Sequence, residues 1–118
     1  MAMADIIDLK EVLERVQDDR ELLIELFDIF QEDFVGKRQI LGDAVKTKDI
    51  AKIKEVAHSL KGASGNISAK GMHADFLQIE QMTRNNDLSQ ADAILKDIDT
   101  QFLQLKNFIV QFKKDNKK

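Results

Sequence analysis

An all-α fold, an antiparallel up-down four-helix bundle with an additional short N-terminal helix, is predicted by three features of this 118-residue chain. There is no proline and there are only five glycines, so little interrupts a helical backbone. Apolar residues recur at three- and four-residue intervals almost from end to end, with no strand-like alternation. Four substantial segments each carry one apolar side, and short connections let them bury those sides against one another.

The elements follow in order, at roughly 5–16, 19–45, 49–65, 70–85 and 89–114, within a single domain spanning 1–118. Ile6, Leu9, Leu13 and Val16 form a first short stripe, with Asp5 or Asp8 placed to cap it. Asp18 or Asp19 opens a longer helix striped by Leu23, Leu26, Phe27, Phe30 and Phe34, continuing through Ile40, Leu41 and Val45. Gly36 and Gly42 are the points at which that helix could bend or fray. Thr47 or Asp49 caps a third helix with Ile50, Ile53, Ala57, Leu60 and Ser64 on one side. The pattern weakens over Asn66 to Lys70, which marks a turn. A fourth helix carries Met72, Phe76, Ile79 and Thr83 and ends at Asn85-Asn86-Asp87, because asparagine tolerates the left-handed conformation of a helix C-terminus. The fifth runs from about Ser89 into a lysine-rich tail (Lys113, Lys114, Lys117, Lys118) that reads as a solvated helix end.

Composition excludes several function classes. With 43% hydrophobic and 33% charged residues the chain has the make-up of a soluble globular domain. No apolar run approaches the roughly 20 residues that span a bilayer, and the first residues lack the basic and apolar regions of a signal peptide. These features point to a cytoplasmic protein, or a cytoplasmic domain of a larger one, without a membrane partner. The absence of cysteine removes disulfides and thiolate chemistry. A net charge of −3 argues against nucleic acid as a partner.

The segment Val56 to Asn66 carries the chemistry. His58 has Lys61 three residues on and Gly62 and Gly65 four and seven residues on, offsets that all fall beside it on a helix. Each glycine forfeits about 1 kcal/mol of helix propensity against alanine, and each removes a side chain that could crowd the imidazole. At about 100° per residue His58 lies roughly 150° from the centre of the apolar stripe, so it faces outward. A lone histidine is most simply a half-buried structural residue, but this phase removes that explanation. His73, near a helix start and without comparable neighbours, reads as a surface histidine.

An exposed neutral imidazole can act as nucleophile, proton carrier or metal ligand. Glu55 and His58 have the Glu-x-x-His spacing of carboxylate-bridged di-iron bundles, but that site needs a second such motif, which the sequence lacks, and an inward-facing histidine. No serine sits in an elbow motif, and no Gly-Lys-Ser/Thr makes a phosphate loop. Phosphoryl transfer fits. It needs in-line access to a ring nitrogen, a neighbouring cation, and an acceptor that fixes the other nitrogen. Lys61 supplies the cation and the glycines supply the access; the acceptor has to come from an adjacent helix.

Ala57-His58-Ser59-Leu60-Lys61-Gly62-Ala63-Ser64-Gly65-Asn66-Ile67 resembles the signature of histidine-containing phosphotransfer (HPt) domains, AHxLKGxSxxxG and close variants. Ile79-Glu80 resembles that family's Leu-Glu pair, and Arg84-Asn85-Asn86-Asp87-Leu88 resembles its Arg-x-Gly-Asp-Leu turn with Asn86 in place of glycine. The resemblance covers at least Asp49 to Leu105. Met72 stands where leucine is usual, Ser59 replaces the common threonine, and Gly71 departs from the pattern.

The resemblance implies that His58 is phosphorylated through Nε2 and that Lys61 neutralises the phosphoryl group. Gly62 and Gly65 make room for the partner, and Glu80 accepts a hydrogen bond from Nδ1, where some relatives have glutamine. It further implies a carrier, not an enzyme with turnover of its own. Such a carrier is a monomer that needs no cofactor, because Mg²⁺ belongs to the partner receiver. The implied partners are response-regulator receiver domains and a sensor or hybrid histidine kinase. They would dock on apolar residues of the first two helices, Ile7 and Leu22 among them. The alternative is a helical-bundle interaction module that binds a receiver or kinase without accepting phosphate.

Overall fold

The computed structural model describes residues 6–116. Three helices start where an aspartate side chain accepts from the backbone amide three residues on. Asp8 takes the amide of Glu11, Asp19 that of Leu22 and Asp49 that of Lys52, at 3.0–3.1 Å. Each bond satisfies one of the donors that a helix start leaves unpaired. The five helices are α1 (Leu9–Arg15), α2 (Arg20–Thr47), α3 (Ile50–Asn66), α4 (Lys70–Asn85) and α5 (Ala91–Asp115). No strand occurs among the described residues. α2 passes through Gly36 and Gly42 without a break. Asn86 ends α4 in the left-handed conformation, φ 54°.

Two helix starts differ from the periodicity by more than one residue. α1 begins at Leu9, because Asp8 caps it and turns Ile6 and Ile7 into a lead-in segment. The proposed start at residue 5, the capping option at Asp5, and Lys117 and Lys118 lie outside the described residues. α5 begins at Ala91, after a turn in which Asp87 accepts from the Ser89 amide at 3.0 Å.

α2 to α5 form a closed ring, each packed on the next and α5 back on α2. Cross-helix pairs show that α2 and α5 run antiparallel: Phe27 meets Phe112 edge-on at 5.7 Å, Phe34 stacks on Phe102 at 4.0 Å, and Arg38 bonds Asp99. Phe27, Leu41, Leu60, Phe76, Ile98 and Leu105 are fully buried at the centre, each such side chain contributing about 1.5–3 kcal/mol by leaving water. Gln101 ties α5 to α4 by donating from Nε2 to Asp75 and to Asp97, at 2.9 Å each. α1 lies across one end. It is held there by the bond from the Asp8 amide to the Ser68 carbonyl, by Ser68 Oγ donating to Glu11, and by Lys70 pairing with Asp8 and Glu11. That anchorage turns Ile7 inward.

Candidate functional site

α3 sends Ile53, Val56, Ala57, Leu60 and Ser64 into the core. Ser64 is tolerated there because its hydroxyl donates to the Leu60 carbonyl at 2.7 Å. The opposite side carries His58, whose side chain is 71% exposed, as the helical phase predicts. Its Nδ1 lies 3.0 Å from Oε2 of Glu80 on α4. An ionised carboxylate only accepts, so Nδ1 carries the proton and the lone pair of a neutral ring sits on the solvent-facing Nε2.

Glu80 projects from α4 beside the buried Ile79, and only 8% of its side chain is exposed. A carboxylate in that position is costly unless its charge is matched. Oε2 has His58; Oε1 has the Lys61 ammonium at 2.6 Å, an ion pair in which no donor is aligned as a hydrogen bond. Burial pushes the Glu80 carboxyl up, but Lys61 and then His58 outweigh it, leaving the group below the ordinary carboxylate value. Glu55, the acidic half of the Glu-x-x-His spacing, is instead paired with Lys52 at 3.1 Å.

The two glycines differ. A Cβ at Gly62 would meet nothing within 4 Å, so this position is open toward solvent beside His58. A Cβ at Gly65 would lie 3.3 Å from Nδ1 of His73. The space on that side of Gly65 is therefore bounded by a side chain of the same molecule, unlike the open position at Gly62. His73 is half-buried and places Nδ1 3.0 Å from the Lys61 carbonyl, so it is not the surface residue that the sequence suggested. It stands seven residues before Glu80, a spacing that puts both on one face of α4; that was the available signal.

Ile7 is 2% exposed and part of the core, so it offers no docking surface in this structure. Leu22 is 40% exposed. Ile29 and Ile40 are exposed as well, and at about 100° per residue all three fall within about 20° of one line along α2. α2 also reaches the histidine's neighbourhood through Lys37, whose ammonium donates to Ser59 Oγ at 2.6 Å and pairs with Asp33 at 3.1 Å. Sequence spacing alone did not find Lys37, because that contact depends on how α2 lies against α3.

The site is thus an outward imidazole on a ring of helices, oriented by a buried carboxylate and flanked by a lysine. The family model of the Hpt domain matches residues 25–112, three quarters of the chain, and the chain belongs to that family. It is also similar to the crystal structure of histidine-containing phosphotransfer protein B (HptB) from Pseudomonas aeruginosa PAO1. The TM-score is 0.86 and the identity 23%, over 98% of this chain and 100% of that one. The fold is thus shared along its whole length. No curated protein sequence matches.

Proposed function

We propose that this chain is the histidine intermediate of a two-component phosphorelay. His58 accepts a phosphoryl group from the phospho-aspartate of one receiver domain and passes it to the aspartate of another. The observation that carries the reading is the hydrogen bond from His58 Nδ1 to Glu80, which leaves Nε2 exposed with its lone pair outward. In-line attack by Nε2 on phosphorus forms the N–P bond as the P–O bond to the receiver's aspartate breaks, and the carboxylate leaves with the electron pair. The ring keeps its Nδ1 proton and becomes cationic, and the Glu80 carboxylate faces that developing charge. Lys61, beside the ring, is the cation for the phosphoryl oxygens. Gly62 leaves the approach unobstructed. Return of the phosphoryl group to an aspartate is the same step reversed.

On this reading the chain is a monomeric cytoplasmic carrier with no cofactor of its own, the receiver contributing Mg²⁺. The exposed stripe of Leu22, Ile29 and Ile40 is where the receiver or kinase docks. Incubation with a phosphorylated receiver should place an acid-labile, base-stable label on the protein, and His58→Gln should abolish it. A label that persists in His58→Gln refutes the assignment. Binding of receivers without any label transfer would favour the interaction-module alternative.

A further inference from the structure

Two histidines face the same seam between α3 and α4, and only one of them is the nucleophile of the proposed reaction. His58 and Gly65 are seven residues apart on α3, and Glu80 and His73 are seven apart on α4, so each pair shares a helix face. The antiparallel packing sets His58 against Glu80 and Gly65 against His73. A carbonyl oxygen can only accept, so the 3.0 Å contact between His73 Nδ1 and the Lys61 carbonyl requires a proton on Nδ1. Both the neutral Nδ1–H form and the charged ring supply it, and the bond survives a change of protonation state. Lys61 is therefore gripped twice from α4: its carbonyl by His73 and its ammonium by Glu80. The ring lies close against Gly65: a Cβ there would approach Nδ1 to 3.3 Å and Cε1 to 3.6 Å, so an added methyl would press on the ring.

We infer that His73 is a positioning residue for phosphoryl transfer. Core packing sets how α3 lies on α4, and the bond to the Lys61 carbonyl pins that arrangement locally, at the level where His58 and Lys61 meet Glu80. Gly65 gives the His73 ring its seat beside α3. The inference rests on the reading of His58 as the phosphorylated residue and names what holds that site in register. A rotation of α3 by a few degrees would shift the imidazole by a fraction of an ångström against the Glu80 carboxylate. Transfer rates respond steeply to misplacement on that scale.

The test compares His73→Leu with His73→Asn, whose side-chain amide nitrogen stands where Nδ1 stood. His73→Leu should slow labelling of His58 at saturating phosphorylated receiver by about three- to tenfold with receiver affinity unchanged, and His73→Asn should restore most of the rate. Gly65→Ala should slow labelling in the otherwise native chain and add nothing in a His73→Ala background. Equal rates for the native chain and a folded His73→Leu variant overturn the inference. So does a Gly65→Ala penalty that persists undiminished without His73. NMR of the unphosphorylated native protein gives a readout independent of transfer, since the His73 Nδ1 proton should show coupling to the Lys61 carbonyl. Its absence overturns the inference even if no variant folds. Failure of the native chain to accept label from any receiver, with that coupling present, would refute the phosphorelay reading and leave the His73–Lys61 bond established.

Discussion

Glu80→Ala removes two contacts at once, the acceptor for His58 Nδ1 at 3.0 Å and the counter-charge for Lys61 at 2.6 Å. A hydrogen bond to a charged group contributes about 1.5–3 kcal/mol when well shielded. Here the imidazole is mostly in water, Lys61 is 23% exposed, and the substitution also removes the cost of burying the carboxylate. The net loss of stability should therefore be about 1 kcal/mol, a fall in Tm of about 4 °C for a domain of this size. The effect on transfer should be larger. Without an acceptor on Nδ1 the ring is free to turn and to place its proton on Nε2, where it blocks attack. Loss of that orientation should slow transfer by about tenfold or more, or ~1.4 kcal/mol in the barrier.

Glu80→Gln keeps an oxygen for Nδ1 and should retain transfer within about threefold of the native rate, while surrendering the ion pair. The carboxyl lies below its usual value of 4.5 in the folded chain, so the stability it confers is complete above pH 4.5. That stability is lost as pH falls through the depressed folded value. The native minus Glu80→Gln stability difference should shrink over that acidic interval. The assays are rapid-quench transfer from a labelled receiver, ¹⁵N NMR of the His58 ring to read its tautomer, and thermal melts across pH. Native transfer rates in Glu80→Ala, with unchanged His58 ring signals, would refute the orienting role.

Lys61→Ala should slow transfer and also destabilise the fold by about 1–2 kcal/mol, because it leaves a buried carboxylate without its counter-charge. Melts of the Lys61→Ala/Glu80→Gln double variant should recover most of that loss, and failure to do so would show that Glu80 does not depend on Lys61. Gly62→Leu should leave the melt unchanged or slightly raised, since a Cβ there meets nothing within 4 Å and leucine is the better helix former. It should suppress transfer from a receiver while sparing labelling by a small phosphodonor such as phosphoramidate, and equal suppression of both would contradict an access role. Burial, then the neighbouring Asp97, pushes the Asp75 carboxyl up to about 7, against a smaller opposing effect of Gln101. The folded state therefore holds a proton that the unfolded chain releases, and stability falls as pH rises from 3.8 toward 7. With screening of this half-exposed pair taken into account, Asp75→Asn should stabilise by about 1 kcal/mol at pH 8 and by little at pH 4; equal gains at both pH values would place the proton elsewhere.

Helical phase, a property of neighbouring residues, accounts for how much of this molecule can be read before it folds. The Asp8, Asp19 and Asp49 caps, the left-handed stop at Asn86, the buried side of α3 and the outward direction of His58 are all set within a few residues of chain. The first helix is the exception that shows the limit. Its stripe includes Ile6, yet Ile6 and Ile7 precede the helix that Asp8 caps, and the Asp8 amide is tied to the Ser68 carbonyl on a distant turn. The same tie buries Ile7, which local pattern alone could place on a docking surface.

The sequence by itself determined a helical bundle, a solvent-facing histidine with a lysine one turn away, and open space at Gly62. Glu80 entered through family resemblance, because nothing in the spacing of α3 points to a residue 22 positions on. Tertiary structure alone decided that Glu80 meets both His58 and Lys61, that His73 packs beside Gly65, and that Lys37 reaches Ser59. The physical reason is that periodicity defines which face of a helix is apolar, whereas the rotation and height of one helix against another are set by packing of the whole core. A contact between two helices inherits that choice, and no single stretch of sequence contains it.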